Sequence, residues 1–315
     1  KPFNQEEFLM ARSEIMLQRT KRYKKMVLFP LIASIMLILG PALILQLYLS
    51  FNYYSIYSEG WWASEWYALD IFKDVMTDER FHVAIIRSLG FALASTIGCF
   101  VIGFGLALLM YKNFRLQWFY YIIFIIPMLT VPIVIAYTAE MILYQKGPLN
   151  GILSSIVGRD MLIMWITNPD IALFTVVLME IWNWAPFSFI IMMAGLASLP
   201  KEPVEAAQIL GASRIKIFFE IQLPLLRPII VLALVLRFLE AMAEFPKTWA
   251  IFQGGPGTST ETIPVLIYLN TWYYFDWSKA AAMSYIVMLM MVVIILTAIN
   301  ILQKENKRIA QVQAN

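Results

Sequence analysis

Histidine and cysteine are nearly absent from this 315-residue chain, where His82 and Cys99 each stand alone. One cysteine cannot close an internal disulfide, and the two residues cannot supply a Cys/His metal framework. Charge is scarce as well. Charged residues make up 14% and hydrophobic ones 60%, with a mean hydropathy of +0.70, whereas soluble domains carry about a quarter charged residues. There is no Gly-x-x-x-x-Gly-Lys-[Ser/Thr] phosphate loop, so the chain is not expected to hydrolyse ATP itself. A net charge of +3 does not point to nucleic acid as a partner. The first 25 residues lack the apolar stretch of a secretory signal, so the first apolar segment is expected to be an uncleaved anchor. These absences exclude a disulfide-stapled domain and a soluble globular enzyme. What remains is an all-α membrane protein.

A spanning helix needs about 20 mostly apolar residues. Six segments qualify: 26–50, 83–111, 118–144, 171–198, 225–252 and 278–302. The division expected is a basic N-terminal segment 1–25, a six-helix domain 26–302 and a tail 303–315. Pro127 and Pro132 in the third segment and Pro186 in the fourth mark breaks. In membranes such breaks are tolerated where neighbouring helices or a water-lined cavity satisfy the freed backbone. Both a pathway lining and ordinary kinked packing fit them.

Basic residues set the orientation. Lys1, Arg12, Arg19, Lys21, Arg22, Lys24 and Lys25 precede the first segment, and Lys112 and Arg115 follow the second. Lys201, Arg214, Lys216 and Arg227 follow the fourth, and Lys304, Lys307 and Arg308 end the chain. The opposite side holds Lys73, Arg80, Lys146, Arg159 and Lys279, beside the acidic Glu59, Glu65, Asp70, Asp74, Asp78 and Glu79. Both termini are therefore expected in the cytoplasm. Trp61, Trp62, Trp66 and Tyr67 in the first outer loop suit interfacial anchoring or contact with an external protein. Phe8, Leu9, Ile15 and Met16 fit either an interfacial helix or a plain basic tether.

The cytoplasmic stretch from Pro200 to Pro224 reads as two short helices. Pro203 suits a first helical turn, and Gly211 a left-handed cap. Ser213 can cap a second helix through Phe219, with Pro224 and Pro228 delimiting the start of the fifth span. Such an elbow leaves Ile215, Phe218 and Phe219 to water unless something covers them, which points to docking or to lying flat on headgroups.

Charges within apolar spans cost roughly 2.5–3.5 kcal/mol on insertion scales. Arg237, Glu240 and Glu244 fall at i, i+3 and i+7 of the fifth helix, where Arg237 and Glu240 can neutralise each other. Glu244 has Lys247 three residues on as a possible partner. Glu180, Asn183 and Phe187 share a face of the fourth helix, flanked by Trp182 and Trp184. Hydroxyls with C–H faces are what polar groups beside rings can bind, though interhelical hydrogen bonding fits equally. Tyr137, Glu140 and Tyr144 form a third candidate face.

Glu205-Ala206-Ala207, then Gly211 and Ala212, then Ile221, Leu223 and Pro224, resemble the EAA loop of bacterial ATP-binding-cassette importer permeases. Pro200, Arg237, Glu240 and the outer GGPGTSTET stretch (254–262) are similar to the carbohydrate-uptake branch with its maltose- and glycerol-phosphate-type permeases. Glu244, Pro246 and Lys247 depart from common members of that branch. The resemblance implies a prokaryotic cytoplasmic-membrane permease working by alternating access on a sugar or polyol. It implies a second permease in a heterodimer, two ATPase subunits that bind ATP and Mg2+, and an external solute-binding protein. Glu205, Ala206, Ala207, Gly211, Ala212, Ile215, Phe218, Phe219 and Pro224 would then couple to the ATPase. No cofactor is expected in this chain. Two other classes fit the residues alone: a proton-coupled transporter using Glu180, Glu240 or Glu244, and a membrane scaffold that transports nothing.

Overall fold

A computed structural model describes residues 5–314 except Ser55, Ala68, Lys112 and Asn113, with side chains for Met26 and for 28–304 within that range. The cationic and apolar side chains singled out at 1–25, together with Lys112, Lys307 and Arg308, therefore lie outside the described residues. The chain divides into two compact units, residues 1–72 with 276–285, and residues 73–275 with 286–315.

In the first unit, helix α1 runs Gln5–Phe51 with no break at residue 25. A two-residue hairpin, β1 (Asn52–Tyr53) and β2 (Glu65–Trp66), follows it. Phe51 stacks on Trp66 at 5.8 Å, which fixes the hairpin against the helix end. Ser278 Oγ donates to Asn52 O at 2.6 Å and accepts from Tyr54 N–H at 2.8 Å.

The second unit holds the helices that position the site. They are α2 (Asp70–Thr77, shared with the first unit), α3 (Glu79–Met110), α4 (Gln117–Leu129), α5 (Pro132–Leu143), α6 (Pro148–Val157) and α7 (Pro169–Ala197). After them come α8 (Glu202–Ile209), α9 (Arg214–Ile217), a π turn (Phe218–Gln222), α10 (Leu223–Met242), α11 (Pro246–Phe252), α12 (Ile263–Trp272) and α13 (Trp277–Ala314, shared with the first unit). Helix α7 is the centre of this unit, packed on α3, α4 and α10. One apolar core joins Phe91, Ile135, Val176, Met179 and Met242, and another joins Ala107, Phe189, Met192, Leu196 and Leu226. Gly103 lets α3 approach α7 closely, since a Cβ there would sit 2.6 Å from Ala185 O. Small residues at helix contacts are the usual means of close packing in membranes.

Among the described residues, five helices are long and apolar enough to cross a membrane, and a sixth span exists only if α4 and α5 count together. Those two helices meet at 95°, so the third segment breaks between Pro127 and Pro132, where the prolines mark it. Pro132 forces Val131 out of the helical region, to ψ 132°, and starts α5 afresh. The fifth span, Arg214–Phe252, is interrupted near its end without a comparable bend. Met242 ends α10, and Pro246 opens α11 after a non-helical Phe245. Glu244 therefore lies beyond the helix, and the expected i, i+3, i+7 face stops at Glu240.

Candidate functional site

The polar loop forms the expected elbow. Pro203 sits in the first turn of α8, and Gly211 closes it at φ +77°. Gly211 N–H donates to Gln208 O and Ala212 N–H to Ala207 O, both at 3.0 Å. This 6→1 and 5→2 pair is a complete Schellman ending. Ser213 Oγ then accepts from Lys216 N–H at 3.3 Å and starts α9.

Two expectations for this loop need correction. Pro224 and Pro228 do not delimit the fifth span, because the helix passes from α9 through the π turn into α10. Pro224 cannot donate to Glu220 O and its ring crowds that carbonyl, and the wider π turn makes room for it. Phe218 is half-buried, 6.2 Å from Phe104, so it leaves the expected exposed set. Ile215 and Phe219 are exposed, and Ile209 and Leu210 join them, at 86% and 87%. The last two went unnoticed because helix-end residues read as caps rather than as surface. Beneath the elbow lies a cavity of about 540 Å³, lined among others by Leu108, Tyr111, Pro200, Glu205, Gln208 and Arg214.

The second site is a knot of charge. Arg237 on α10 pairs through Nη2 with Glu180 Oε1 on α7. Lys247 Nζ lies 2.8 Å from Glu180 Oε2, 2.8 Å from Glu244 Oε2 and 3.3 Å from Asn183 Oδ1. Lys247 N–H also donates to Glu244 Oε1 at 2.9 Å, so the carboxylate ties down the start of α11. All four charged side chains are buried, Lys247 completely. Removing one partner from such a group strands the other charge away from water. Asn183 Nδ2 donates to Pro127 O at 2.7 Å, bringing the end of α4 into the same network.

The expected Arg237–Glu240 pair is present but secondary. Its oxygen lies 3.7 Å from Nη1, and the Glu240 side chain is 45% exposed. Trp184 lies with its ring 5.2 Å from the Arg237 guanidinium and meets Phe187 edge-to-face at 6.1 Å. The structure thus gathers Glu180, Asn183, Arg237 and Glu244, with Glu240, Trp184 and Phe187 alongside. Trp182, Tyr137, Glu140 and Tyr144 are exposed instead, Tyr144 just past the end of α5. Sequence reasoning noted Lys247 only as a neighbour of Glu244; its contact with α7 had no local signal.

A third cluster had none either. Arg80 grips Glu261 through Nε and Nη2, both at 2.6 Å, and donates through Nη1 to Tyr274 at 3.0 Å. Ile263 N–H donates to Ser88 Oγ at 2.8 Å and Arg87 Nη2 to Thr258 Oγ1 at 3.4 Å, so the 254–262 loop and the residue after it are fastened to α3 at three points.

With this geometry in hand, known proteins can be compared. The sulfoquinovosyl glycerol transport system permease of Agrobacterium fabrum is 34% identical over 194 residues, 61% of this chain and 62% of that protein. The trehalose/maltose transport system permease of Thermococcus litoralis is 31% identical over 211 residues, covering 67% and 70%. The crystal structure of a bacterial ABC transporter that imports alginate has the same fold, with a TM-score of 0.75 at 22% identity over 93% of this chain and 99% of that one. Residues 99–309 match the family of binding-protein-dependent transport system inner membrane components. This stretch includes the elbow, the charge knot and the outer loop, and the chain belongs to that family.

Proposed function

We propose that this chain is the permease subunit of an ATP-driven importer that moves a sugar or related polyol across a prokaryotic cytoplasmic membrane by alternating access. The observation that carries the reading is the elbow. Four apolar side chains, Ile209, Leu210, Ile215 and Phe219, stand 60–87% exposed around a Gly-capped turn between two spans. A surface of that kind on an otherwise polar loop is a docking face. The occupant that fits is one of two ATPase subunits, which bind ATP and Mg2+ and push on the elbow. Charge asymmetry supports cytoplasmic termini and elbow, with the 254–262 loop outside, facing a solute-binding protein. A second permease completes the path, and lipid covers the remaining apolar helix faces.

The transport-system names of the two relatives support a glycoside as cargo. The knot around Glu180, Asn183, Arg237 and Glu244, with Glu240, Trp184 and Phe187 beside it, supplies the polar and aromatic groups for the path. The test is uptake into proteoliposomes holding the complete transporter, its solute-binding protein and lumenal ATP. Accumulation that needs ATP, survives an ionophore and falls when Leu210→Asp strips the ATPase supports the reading. Accumulation that collapses with the proton gradient at constant ATP refutes it.

A further inference from the structure

The knot consumes both of its cations, yet it leaves two donors of Arg237 unfilled. Lys247 Nζ donates to Glu244 Oε2 and Asn183 Oδ1, and lies 2.8 Å from Glu180 Oε2 as an ion pair. Arg237 pairs through Nη2 with Glu180, but Nε and Nη1 are buried with no hydrogen-bonded partner. The oxygen nearest to Nη1 belongs to Glu240, at 3.7 Å, well beyond the 2.7–2.9 Å of a charge-assisted bond. The Cys99 thiol beside the guanidinium is too weak an acceptor to fill that role. A half-exposed carboxylate thus covers an unpaired donor, with the Trp184 ring on the same guanidinium.

We propose that Arg237 Nη1, Glu240 and Trp184 form a reading site for the hydroxyls of an uncharged glycoside. This rests on the carbohydrate reading above and sharpens it. A hydroxyl that displaces Glu240 Oε2 accepts from Nη1 and donates to the carboxylate, so the buried Nη1 gains the partner it lacks. The sugar's C–H face packs on Trp184. Charge decides the class. The network contains Arg237 and Lys247 against Glu180, Glu240 and Glu244, an excess of one negative charge. Both cations already face carboxylates, so a carboxylate or phosphate on the solute adds to that negative excess.

The test uses proteoliposomes with the complete transporter, its solute-binding protein and lumenal ATP. They receive an equimolar mixture of maltose, trehalose and cellobiose, the aldonic acids maltobionate and cellobionate, and glucose 1-phosphate; mass spectrometry reads the lumen. The expected result is a neutral sugar accumulating at least tenfold above every anion. An anion accumulating equally or better overturns the uncharged class while leaving carbohydrate import standing. Failure of every sugar to accumulate overturns the carbohydrate reading itself. Glu240→Gln keeps the shape and removes the charge, so the neutral-to-anionic ratio should fall at least fivefold in complex that elutes with its ATPase as before. An unchanged ratio removes Glu240 from the reading site.

Discussion

Lys247 Nζ lies 2.8 Å from Glu180 Oε2, so a cation on the short helix beyond the break in the fifth span closes onto a carboxylate of the fourth. The same ammonium holds Glu244, in the break itself, at 2.8 Å. A flexible break between α10 and α11 is thereby pinned to the most buried helix of its unit. Lys247→Met removes the pin, strands Glu244 and leaves Glu180 to Arg237 alone, a change that costs about 3–5 kcal/mol in buried pairs. The solubilised complex should melt about 10 °C lower or fail to assemble. Adding Glu244→Gln balances the charge again and should restore at least half of the loss. A double variant no better than the single one would show that packing, not charge, holds the break.

Gly211 carries φ +77° with no atom within 4 Å of an added Cβ. The space is open, so a side chain there costs only the left-handed backbone, about 1–2 kcal/mol and less for Asp. Gly211→Asp should therefore insert into the membrane at normal levels. It should nonetheless abolish uptake, because bulk and charge enter the docking elbow. Normal uptake by this variant rules out the coupling role of the turn.

Gly103 fails for the opposite reason. Its added Cβ would meet Ala185 O at 2.6 Å and Phe189 N at 2.7 Å, both backbone atoms of α7 that cannot rotate away. Gly103→Ala should cost about 1–3 kcal/mol by overpacking, read as a lower melting temperature and reduced yield. Gly90, on the same helix with nothing within 4 Å, is the control, and Gly90→Ala should change neither. Equal behaviour of the two variants would contradict the close approach of α3 and α7.

What the sequence revealed tracks how local each signal is. The elbow was legible because Pro203, Gly211 and Ser213 dictate their own turns within eleven residues. The knot was half legible. Helical spacing joined Arg237 to Glu240, but the better partner, Glu180, lies 57 residues away and only packing brings it there. Pro132 announced a break without giving its direction, and the end of α4 before the 95° turn is tied to α7 by a bond from Asn183 to Pro127 O that only packing brings about. Arg80 counted only as one basic residue in an acidic outer loop, since nothing near it in the chain indicates Glu261.

That last pair carries a prediction of its own. Glu261 is buried while Arg80 is 39% exposed, and the two parallel 2.6 Å bonds tie the loop at 254–262 to the first turn of α3. Within the loop, Thr260 Oγ1 donates to Gly255 O at 2.7 Å, which shapes it but does not anchor it. Glu261→Gln keeps the volume and removes the charge that the guanidinium fork requires. Amide exchange across 255–262 should rise about tenfold, equivalent to about 1.4 kcal/mol. The melting temperature should barely move, because the loop lies outside the α3–α7 core. Arg80→Lys should behave like Glu261→Gln, since an ammonium cannot supply two parallel donors. Unchanged exchange in both variants would mean that the Ser88 and Arg87 bonds fasten the loop without the Arg80–Glu261 pair.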